Sequence, residues 1–154
     1  PMFVARQWFR SNVGVARNEV SRRYVSDHPI QYEPGEWRSK PEESVKQGSG
    51  GPLDRAEALA ADELQLEAQD AAIGAYYGLL AVGVAPEQAR MILPQSTYTM
   101  WIETGSLAYF ARICQQRLDP HAQQEIQDLA TQVEEIIKPL FPVSWAALMK
   151  EART

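Results

Sequence analysis

The stretch DRAEALAADELQLEAQDAAIGAYYGLLAV, residues Asp54–Val82, predicts one long helix. Its leucines and isoleucine recur every seven positions, at Leu59, Leu66, Ile73 and Leu80, with Tyr76 and Tyr77 near the same stripe. A stripe of this spacing packs either into the core of a helix bundle or against a partner chain. The bundle core is the simpler interpretation, and it predicts that the stripe is buried.

Shorter elements flank this helix. Pro1 at the first helical position starts a helix that ends before Gly14, and residues 14–25 lead from a loop into an extended segment. Residues 27–52 are rich in turn formers and include the glycine-rich run 46–51, which predicts a flexible, lid-like loop. We expect a strand over 95–103 and helices over 86–93, 106–118, 119–138 and 145–150, with Asp119 as the N-cap of the helix over 119–138. These elements predict an α+β fold, mostly helical with a small antiparallel sheet, in one domain spanning 1–154.

The composition is that of an ordinary globular protein, with 154 residues, 45% of them hydrophobic and 23% charged. No apolar stretch approaches the ~20 residues of a membrane helix and no signal peptide is recognisable, so we expect a cytoplasmic protein without a membrane partner. Because the chain begins with Pro1-Met2, we expect upstream sequence to be missing. The single cysteine, Cys114, excludes an intramolecular disulfide and predicts a small core residue on a helix. His28 and His121 lack metal-ligand spacing, so no metal site is expected.

The net charge of −5 is unevenly distributed. Residues 1–23 contain five arginines and one acid, a charge of +4, which leaves −9 for the rest of the chain. An acidic protein is a poor candidate for broad nucleic-acid binding. A local arginine cluster suits either a small anionic ligand or a solvated charged surface, and we favour the ligand.

Three segments carry groups suited to a nucleotide. In an extended run, Glu19, Ser21 and Arg23 would face the same side and could bind a sugar phosphate. Arg90 stands just before the helix stop at Leu93-Pro94, where the alternative is a surface arginine. Arg117 lies at a helix end near a helix N-terminus, and could bind an anion or polarise a base carbonyl; the alternative is an Arg–Asp pair at a cap.

These segments, in this order, resemble the flavin-dependent thymidylate synthase family, also called thymidylate synthase complementing proteins. Its signature is Arg-His-Arg, two residues, Ser, one residue, Asn-Glu, one residue, Ser, one residue, Arg-Tyr, and residues 18–24 (NEVSRRY) match the second half. The segments 83–90 (GVAPEQAR) and 117–126 (RLDPHAQQEI) resemble its downstream motifs. The Arg-His-Arg triplet itself is replaced by Arg10-Ser11-Asn12, or by Ser11-Asn12-Val13 when counted back from Asn18.

The resemblance implies the family's fold and a homotetramer with active sites built from several chains. It also implies reductive methylation of dUMP to dTMP, with FAD as cofactor and with NADPH and methylenetetrahydrofolate as co-substrates. The dUMP-binding residues would be Gln7, Arg10, Glu19, Ser21, Arg22, Arg23, Arg90 and Arg117. Arg117 would be catalytic, pairing with the uracil edge and favouring its N3-ionised form. The FAD-binding residues would be Arg10, Ser11, Asn12, Glu19, Ser106 and Arg112.

Two alternatives remain open at the level of sequence. The protein could be a related flavoenzyme that modifies C5 of another pyrimidine nucleotide. It could instead be a catalytically inactive nucleotide-binding subunit, which the altered triplet and the Pro1 start favour.

Overall fold

A computed structural model describes residues 1–25, 27–41 and 48–151 of the chain. Within these ranges the chain forms, in order, α1 (Met2–Trp8), β1 (Val15–Glu19), α2 (Arg55–Ala81), α3 (Pro86–Ala89), a 3-10 turn (Arg90–Ile92), β2 (Trp101–Gly105), α4 (Leu107–Arg117), α5 (Gln124–Leu140) and α6 (Pro142–Glu151). β1 pairs with β2. The backbone N–H of Val20 donates to Met100 at one end of the pair and that of Ser106 to Gly14 at the other, so the pairing is antiparallel. The predicted α+β class, mostly helical with a small antiparallel sheet, is confirmed.

The chain divides into two compact units. The α2 unit consists of Pro1–Phe3, Glu19–Ser39 and Gly51–Trp101, and the α4 unit of Val4–Asn18, Lys40–Gly50 and Ile102–Thr154. Residues 46 and 47 of the predicted lid-like run 46–51 lie outside the described residues, so that prediction, like the prediction of one domain over 1–154, stays a prediction.

Both ends of α2 are fixed by local interactions. The Asp54 carboxylate accepts hydrogen bonds from the backbone N–H groups of Ala56 and Glu57 at 2.8 and 2.9 Å, and the Glu57 carboxylate accepts from the Asp54 N–H at 3.3 Å. This capping box satisfies donors that have no partner within the helix. Gly83 follows the other end with a φ of 91°, which other residues rarely adopt. The predicted long helix is therefore confirmed.

The core of the α2 unit covers only the C-terminal half of α2. Tyr76, Ala89 and Leu93 are buried, and Leu80 packs against them. Leu59 and Leu66 are 54% and 51% exposed, so the prediction that the heptad stripe is buried is wrong for its first half. The reason is that the apolar residues of α3 and the 3-10 turn reach only the second half of the helix.

The segment before β2 is a turn rather than the start of a strand. The Thr97 backbone N–H donates to the Pro94 carbonyl at 3.0 Å, and Thr97, which is only 2% exposed, makes an isolated bridge to Gln31. Regular strand geometry begins at Trp101. The predicted strand over 95–103 is therefore wrong for residues 95–100, because the buried threonine is held by a side chain far away in sequence.

The α4 unit is built on α4, α5 and α6. Its most buried side chains include Ile113, Cys114, Ile126, Ala130 and Trp145. Burial raises the pKa of the Cys114 thiol to about 12, so the cysteine is an inert core residue, as the sequence predicts.

The start of α5 differs from the sequence prediction. Asp119 does not cap this helix; its carboxylate accepts from the His121 N–H at 2.8 Å and holds a short turn. The N-cap position belongs to Gln123, and the helix begins at Gln124. An Asp-Pro pair suits a turn as well as a helix start, and here the turn is formed.

A half-buried polar network joins α1, β1, β2 and α4 inside the α4 unit. The Glu103 carboxylate accepts from Trp8 Nε1 at 2.7 Å, from Arg17 Nε at 3.3 Å and from the Tyr109 hydroxyl. Burial, followed by the hydrogen bond to Glu103, raises the pKa of Tyr109. Gly105 permits the close packing here, because a Cβ atom at this position would lie 2.6 Å from Tyr109 Cδ1. The network fixes the segment that follows α1.

The helices that the structure describes include none with both the length and the apolar character of a bilayer-crossing segment.

Candidate active site

The α2 unit contains a pocket of about 390 Å³. We call it the Ser21–Arg90 pocket; its polar lining includes Glu19, Ser21, Arg22, Asp27, His28, Arg90, Thr97 and Thr99. Five residues after Glu19, Tyr24 donates its N–H to the Ser21 carbonyl at 3.0 Å, so β1 gives way to a turn just where the pocket begins. Four of the residues predicted from sequence, Glu19, Ser21, Arg22 and Arg90, therefore lie together in this pocket.

The side chains of this pocket hold each other in place. Arg90 Nη1 donates to Ser21 Oγ at 3.1 Å, and Arg90 Nε donates to the Glu87 carbonyl at 3.3 Å. Arg22 donates to the backbone carbonyls of Asp27 and His28, which fixes the loop that forms one wall. The arrangement brings together two guanidinium groups and a hydroxyl. These groups can donate hydrogen bonds to the oxygens of an anionic phosphate.

Arg23 is placed differently from the sequence prediction. The turn at Ser21 ends the extended run, so the predicted alternation of Glu19, Ser21 and Arg23 on one face is wrong. Arg23 is not among the residues that line the pocket; its exposed guanidinium lies 3.5 Å from the Glu87 carboxylate and over the Tyr24 ring.

The α4 unit contains a second group of polar residues, which we call the Arg117 cluster: the predicted residues Gln7, Arg10 and Arg117, together with Gln123 and Glu125. Arg117 Nη2, at the end of α4, donates to the Gln7 backbone carbonyl at 2.8 Å. The Gln7 side-chain amide donates to Gln123 Oε1, and Gln123 Nε2 donates to Glu125 Oε2 at 2.8 Å. Gln7 and Arg117 are thereby held side by side.

Arg117 is electrostatically unusual. Its Nε is buried and, among the described residues, has no hydrogen-bond partner. Burial, followed by the nearby positive charge of Arg10, lowers the pKa of Arg117. A buried guanidinium N–H without an acceptor is costly, and such groups in native proteins usually have a reason. The arrangement favours a ligand with a polar acceptor, such as a carbonyl oxygen or an ionised ring nitrogen.

The residues predicted to bind FAD are only partly brought together. In the α4 unit, Arg112 Nη2 donates to the Val13 carbonyl at 2.6 Å, and Arg17 donates to the Ser11 carbonyl. Ser106 Oγ caps α4 by accepting from the Tyr109 N–H at 3.1 Å. Arg10 and Asn12 are exposed, while Glu19 belongs to the α2 unit and its carboxylate accepts from the Thr99 hydroxyl at 2.7 Å. The exposed guanidinium and amide fit the phosphates or ring edges of a dinucleotide, but Ser106 and Arg112 already have structural roles.

Sequence reasoning missed several residues of both regions. His28 and Thr99 line the Ser21–Arg90 pocket, and Gln123 and Glu125 complete the Arg117 cluster. Gln123 and Glu125 stand within the segment that matched a family motif, so their position was a usable signal. His28 reaches the pocket through a loop, with its Nδ1 3.0 Å from the Tyr77 hydroxyl, and nothing local in the sequence marks it.

Within ranges 1–25, 27–41 and 48–151, no group of three or more His, Cys, Asp and Glu side chains is arranged to hold a metal ion.

Comparison with known proteins identifies the family of the chain. Residues 1–143 match the family described as thymidylate synthase complementing protein. A flavin-dependent thymidylate synthase from Thermus thermophilus is 42% identical over 147 residues, which are 96% of this chain and 53% of the relative. Another from Thermosipho melanesiensis is 33% identical over 159 residues, covering 97% of this chain and 65% of the relative. The solved structure of a UMP/dUMP methylase, PolB from Streptomyces cacaoi bound with 5-Br UMP, superposes with a TM-score of 0.85 at 26% identity, covering 97% of this chain and 70% of that chain.

The chain thus spans about half the length of the Thermus relative. The family match nevertheless extends over both motif-bearing regions, since it includes the residues of the Ser21–Arg90 pocket and of the Arg117 cluster. This protein belongs to the thymidylate synthase complementing protein family.

Proposed function

We propose that this protein is a flavin-dependent thymidylate synthase that converts dUMP to dTMP. The observation that carries the proposal is the Arg117 guanidinium, whose buried Nε has no partner among the described residues. The proposal is supported by its position at the matching family motif and by relatives that carry this activity in their names.

Arg117 would bind the edge of the uracil ring. A guanidinium donates to a ring carbonyl or to an ionised N3, and its charge stabilises the negative charge that develops when C6 of the ring accepts a hydride. Its burial strengthens this effect, because there is little water to screen the charge. The adjacent positive charge of Arg10 also favours an anionic ligand at this place.

The Ser21–Arg90 pocket would hold the phosphate and sugar of dUMP. Arg90 and Arg22 supply charge, and Ser21 supplies a hydroxyl that binds rather than attacks, since no base partner for it is present among the described residues. Glu19 would accept from a hydroxyl of the sugar or from a ring N–H. Gln7, Arg10 and Arg23 complete the proposed dUMP-binding set.

Flavin binding is proposed at the segment around the altered triplet. Arg10, Ser11, Asn12, Glu19, Ser106 and Arg112 would contact the FAD. When bound, FAD supplies the hydride transfer and the passage of the methylene group, with NADPH as reductant and methylenetetrahydrofolate as carbon source. The exposed side chains of Arg10 and Asn12 support this assignment, because they leave donors available to a dinucleotide.

We further propose that the protein acts as a homotetramer in the cytoplasm. Leu59, Leu64 and Leu66 on α2 are between 51% and 68% exposed, and such an apolar surface is typical of a helix that packs against another chain. If active sites are shared among chains, the pocket and the cluster that serve one nucleotide need not come from the same chain.

The test is the visible absorbance of the purified protein, followed by the mass of the product formed. Flavin absorbance that changes on addition of dUMP, with dTMP as product, is the expected result. A different C5-modified product, or a preference for UMP, would replace the proposal with the related-flavoenzyme alternative, which the UMP/dUMP methylase name of the structural neighbour makes worth testing. A colourless protein that binds dUMP but takes up no FAD would replace it with the inactive nucleotide-binding subunit.

A further inference from the structure

One side chain of β1, Arg17, holds the backbone on both sides of Arg10. Its guanidinium donates from Nη1 to the Phe9 carbonyl at 3.5 Å and from Nη2 to the Ser11 carbonyl. The Phe9 carbonyl belongs to the peptide group just before Arg10, and the Ser11 carbonyl to the second peptide group after it. All four residues belong to the α4 unit. Arg17 therefore fixes the course of the main chain through Arg10.

Arg17 is itself firmly held. Its Nε donates to Glu103 Oε1 at 3.3 Å and its Nη2 donates to the Tyr109 hydroxyl at 2.6 Å, while that hydroxyl donates to Glu103. The guanidinium carbon also lies 5.0 Å from the centre of the Phe9 ring. The side chains of Arg17 and Glu103 are only 14% and 9% exposed, so the carboxylate neutralises a charge that has little access to water. A guanidinium bound in this way is a rigid support for the carbonyls that it contacts.

The supported segment carries one positive charge close to another. Arg10 is exposed, and its charge lowers the pKa of Arg117, although burial of Arg117 has the larger effect. Like charges repel, so an unsupported segment would move Arg10 away from Arg117. The contacts of Arg17 oppose this movement, because they fix the backbone from which the Arg10 side chain starts.

Two guanidinium groups held near each other favour an anionic ligand. Their repulsion is present before binding and is relieved by a negative charge, so an anion is preferred over a neutral molecule of the same shape. In the proposed function, this anion is the N3-ionised uracil ring at Arg117. Each positive charge near the ring lowers the pKa of N3 and so stabilises the ionised form.

We propose that Arg17 is a positioning residue that keeps Arg10 near Arg117 and thereby favours the ionised form of the bound uracil ring. The inference rests on the proposed function, since it takes the base to bind at Arg117. It adds a role for a residue that stands just before Asn18-Glu19, at a position that the family signature leaves open. Because most of its donors are used within the protein, Arg17 acts through Arg10 and does not contact the substrate.

The decisive variant is Arg17→Lys, made with and without Arg10. Lysine keeps a positive charge beside Glu103, but its ammonium lacks the planar fork that reaches both carbonyls. We expect Arg17→Lys to raise the dissociation constant of dUMP about fivefold in the wild-type background and to leave it unchanged in Arg10→Ala, where no charge remains to be positioned. Titration calorimetry in the presence of FAD measures both constants. Arg6→Lys, the same change at an exposed position of α1, should have no effect in either background.

Thermal unfolding separates positioning from folding. A contribution of Arg17 to stability does not require Arg10, so Arg17→Lys should change Tm by a similar amount in both backgrounds. If Arg17→Lys weakens dUMP binding equally in both backgrounds, the residue supports only the fold and the inference is wrong. An unchanged dissociation constant in the wild-type background would contradict it as well.

The pH dependence of dUMP affinity gives a second readout. Affinity rises with pH where the bound ring ionises more readily than the free ring. Loss of a positive charge near the ring raises the pKa of the bound N3, so the rise should begin about 0.7 pH units higher in Arg17→Lys, the counterpart of a fivefold loss of the ionised form. Arg10→Ala should shift the rise in the same direction. An Arg17→Lys profile lower than that of the wild type by one constant factor at every pH would refute the inference.

These results distinguish the two levels of proposal. A wild-type protein that forms dTMP, together with an Arg17→Lys effect that is the same in both backgrounds, would overturn this inference alone. A wild-type protein that does not bind dUMP would overturn the proposed function and this inference with it.

Discussion

The Ser21–Arg90 pocket and the Arg117 cluster both present guanidinium groups, but the arginines of the two regions differ in exposure and in how many of their donors are already used. In the pocket, Arg90 is exposed and bonded to Ser21 and to a backbone carbonyl. In the cluster, Arg117 is half-buried and keeps one buried N–H without a partner in the described part of the chain. Several exposed donors can share the charge of a phosphate, so each is partly replaceable, whereas a single buried donor is not. The pocket is suited to affinity and the cluster to chemistry.

The largest effect expected from this difference is on turnover when Arg117 is removed. Arg117→Ala should lower kcat by about 10²–10³-fold, the range seen when one preorganised donor to developing charge is lost. Steady-state dTMP formation measures it, and flavin absorbance should be retained. Arg117→Lys should recover little, because an ammonium lacks the planar donor geometry. Arg6→Ala, an exposed arginine of the same unit, is the matched control; unchanged dTMP formation in Arg117→Ala would contradict the assignment.

A smaller effect, on binding rather than on chemistry, is expected in the pocket. Arg90→Ala should raise the dissociation constant of dUMP about tenfold, since a charge-assisted hydrogen bond at an exposed site is worth the lower end of 1.5–3 kcal/mol. The loss should shrink at high salt, where exposed charges are screened. Titration calorimetry at two ionic strengths checks both points, with Arg55→Ala as the control for removal of one exposed charge. A fall in kcat without a change in affinity would reverse the roles given to the two regions.

Within the proposed phosphate-binding set, Arg23 should matter less than Arg90. Its guanidinium is exposed and paired with Glu87 at 3.5 Å, so it must leave that partner before it can reach a ligand. We expect Arg23→Ala to weaken dUMP about twofold to threefold, the scale of a surface ion pair. Glu87→Gln should slightly strengthen binding by releasing Arg23. Equal losses in Arg23→Ala and Arg90→Ala, measured side by side, would show that the exposed pair rearranges on binding.

The smallest expected effect is a loss of stability of the turn between α4 and α5 at acid pH. Hydrogen bonds from His121, first from its backbone N–H and then from its ring, lower the pKa of the Asp119 carboxyl. A lowered native pKa means that the ionised carboxylate stabilises the turn above the ordinary Asp pKa of about 3.9, and that this contribution is lost as the pH falls through the native pKa. Carbon NMR titration of the Asp119 carboxyl should show the lowered midpoint, and Asp119→Asn should abolish this pH-dependent contribution to the stability of the turn. An ordinary midpoint would mean that the turn does not depend on the charge.

The sequence predicted well those features whose causes are local. Asp54 caps α2 through neighbours two and three residues away, and the long helix is where the sequence places it. The first half of its apolar stripe is exposed, because burial depends on what packs against a helix and not on its own periodicity. Likewise Thr97 is held by Gln31, 66 residues away, so no pattern within 95–103 could reveal the turn.

In the candidate site, too, sequence reasoning fails where a feature depends on residues far apart in the chain or on a turn that the pattern does not show. The family motifs pointed to Ser21, Arg90 and Arg117 without any knowledge of the fold; the structure places these residues in two polar regions, and their roles stay predictions. The extended-strand argument failed for Arg23, because one turn after β1 cancels the alternation of side chains. The hydrogen bond between Gln7 and Gln123 joins residues 116 positions apart, which only a structure can display.

The network around Glu103 has a consequence for how the chain is made. Arg17 leaves the ribosome long before its partners Glu103 and Tyr109, which follow 86 and 92 residues later. At a synthesis rate of about 5–20 residues per second, this guanidinium waits roughly 5–20 s without them. While the chain is being synthesised, the segment after α1 therefore remains accessible to chaperones and to non-native contacts. It can take up its native contacts only after β2 and α4 have been synthesised.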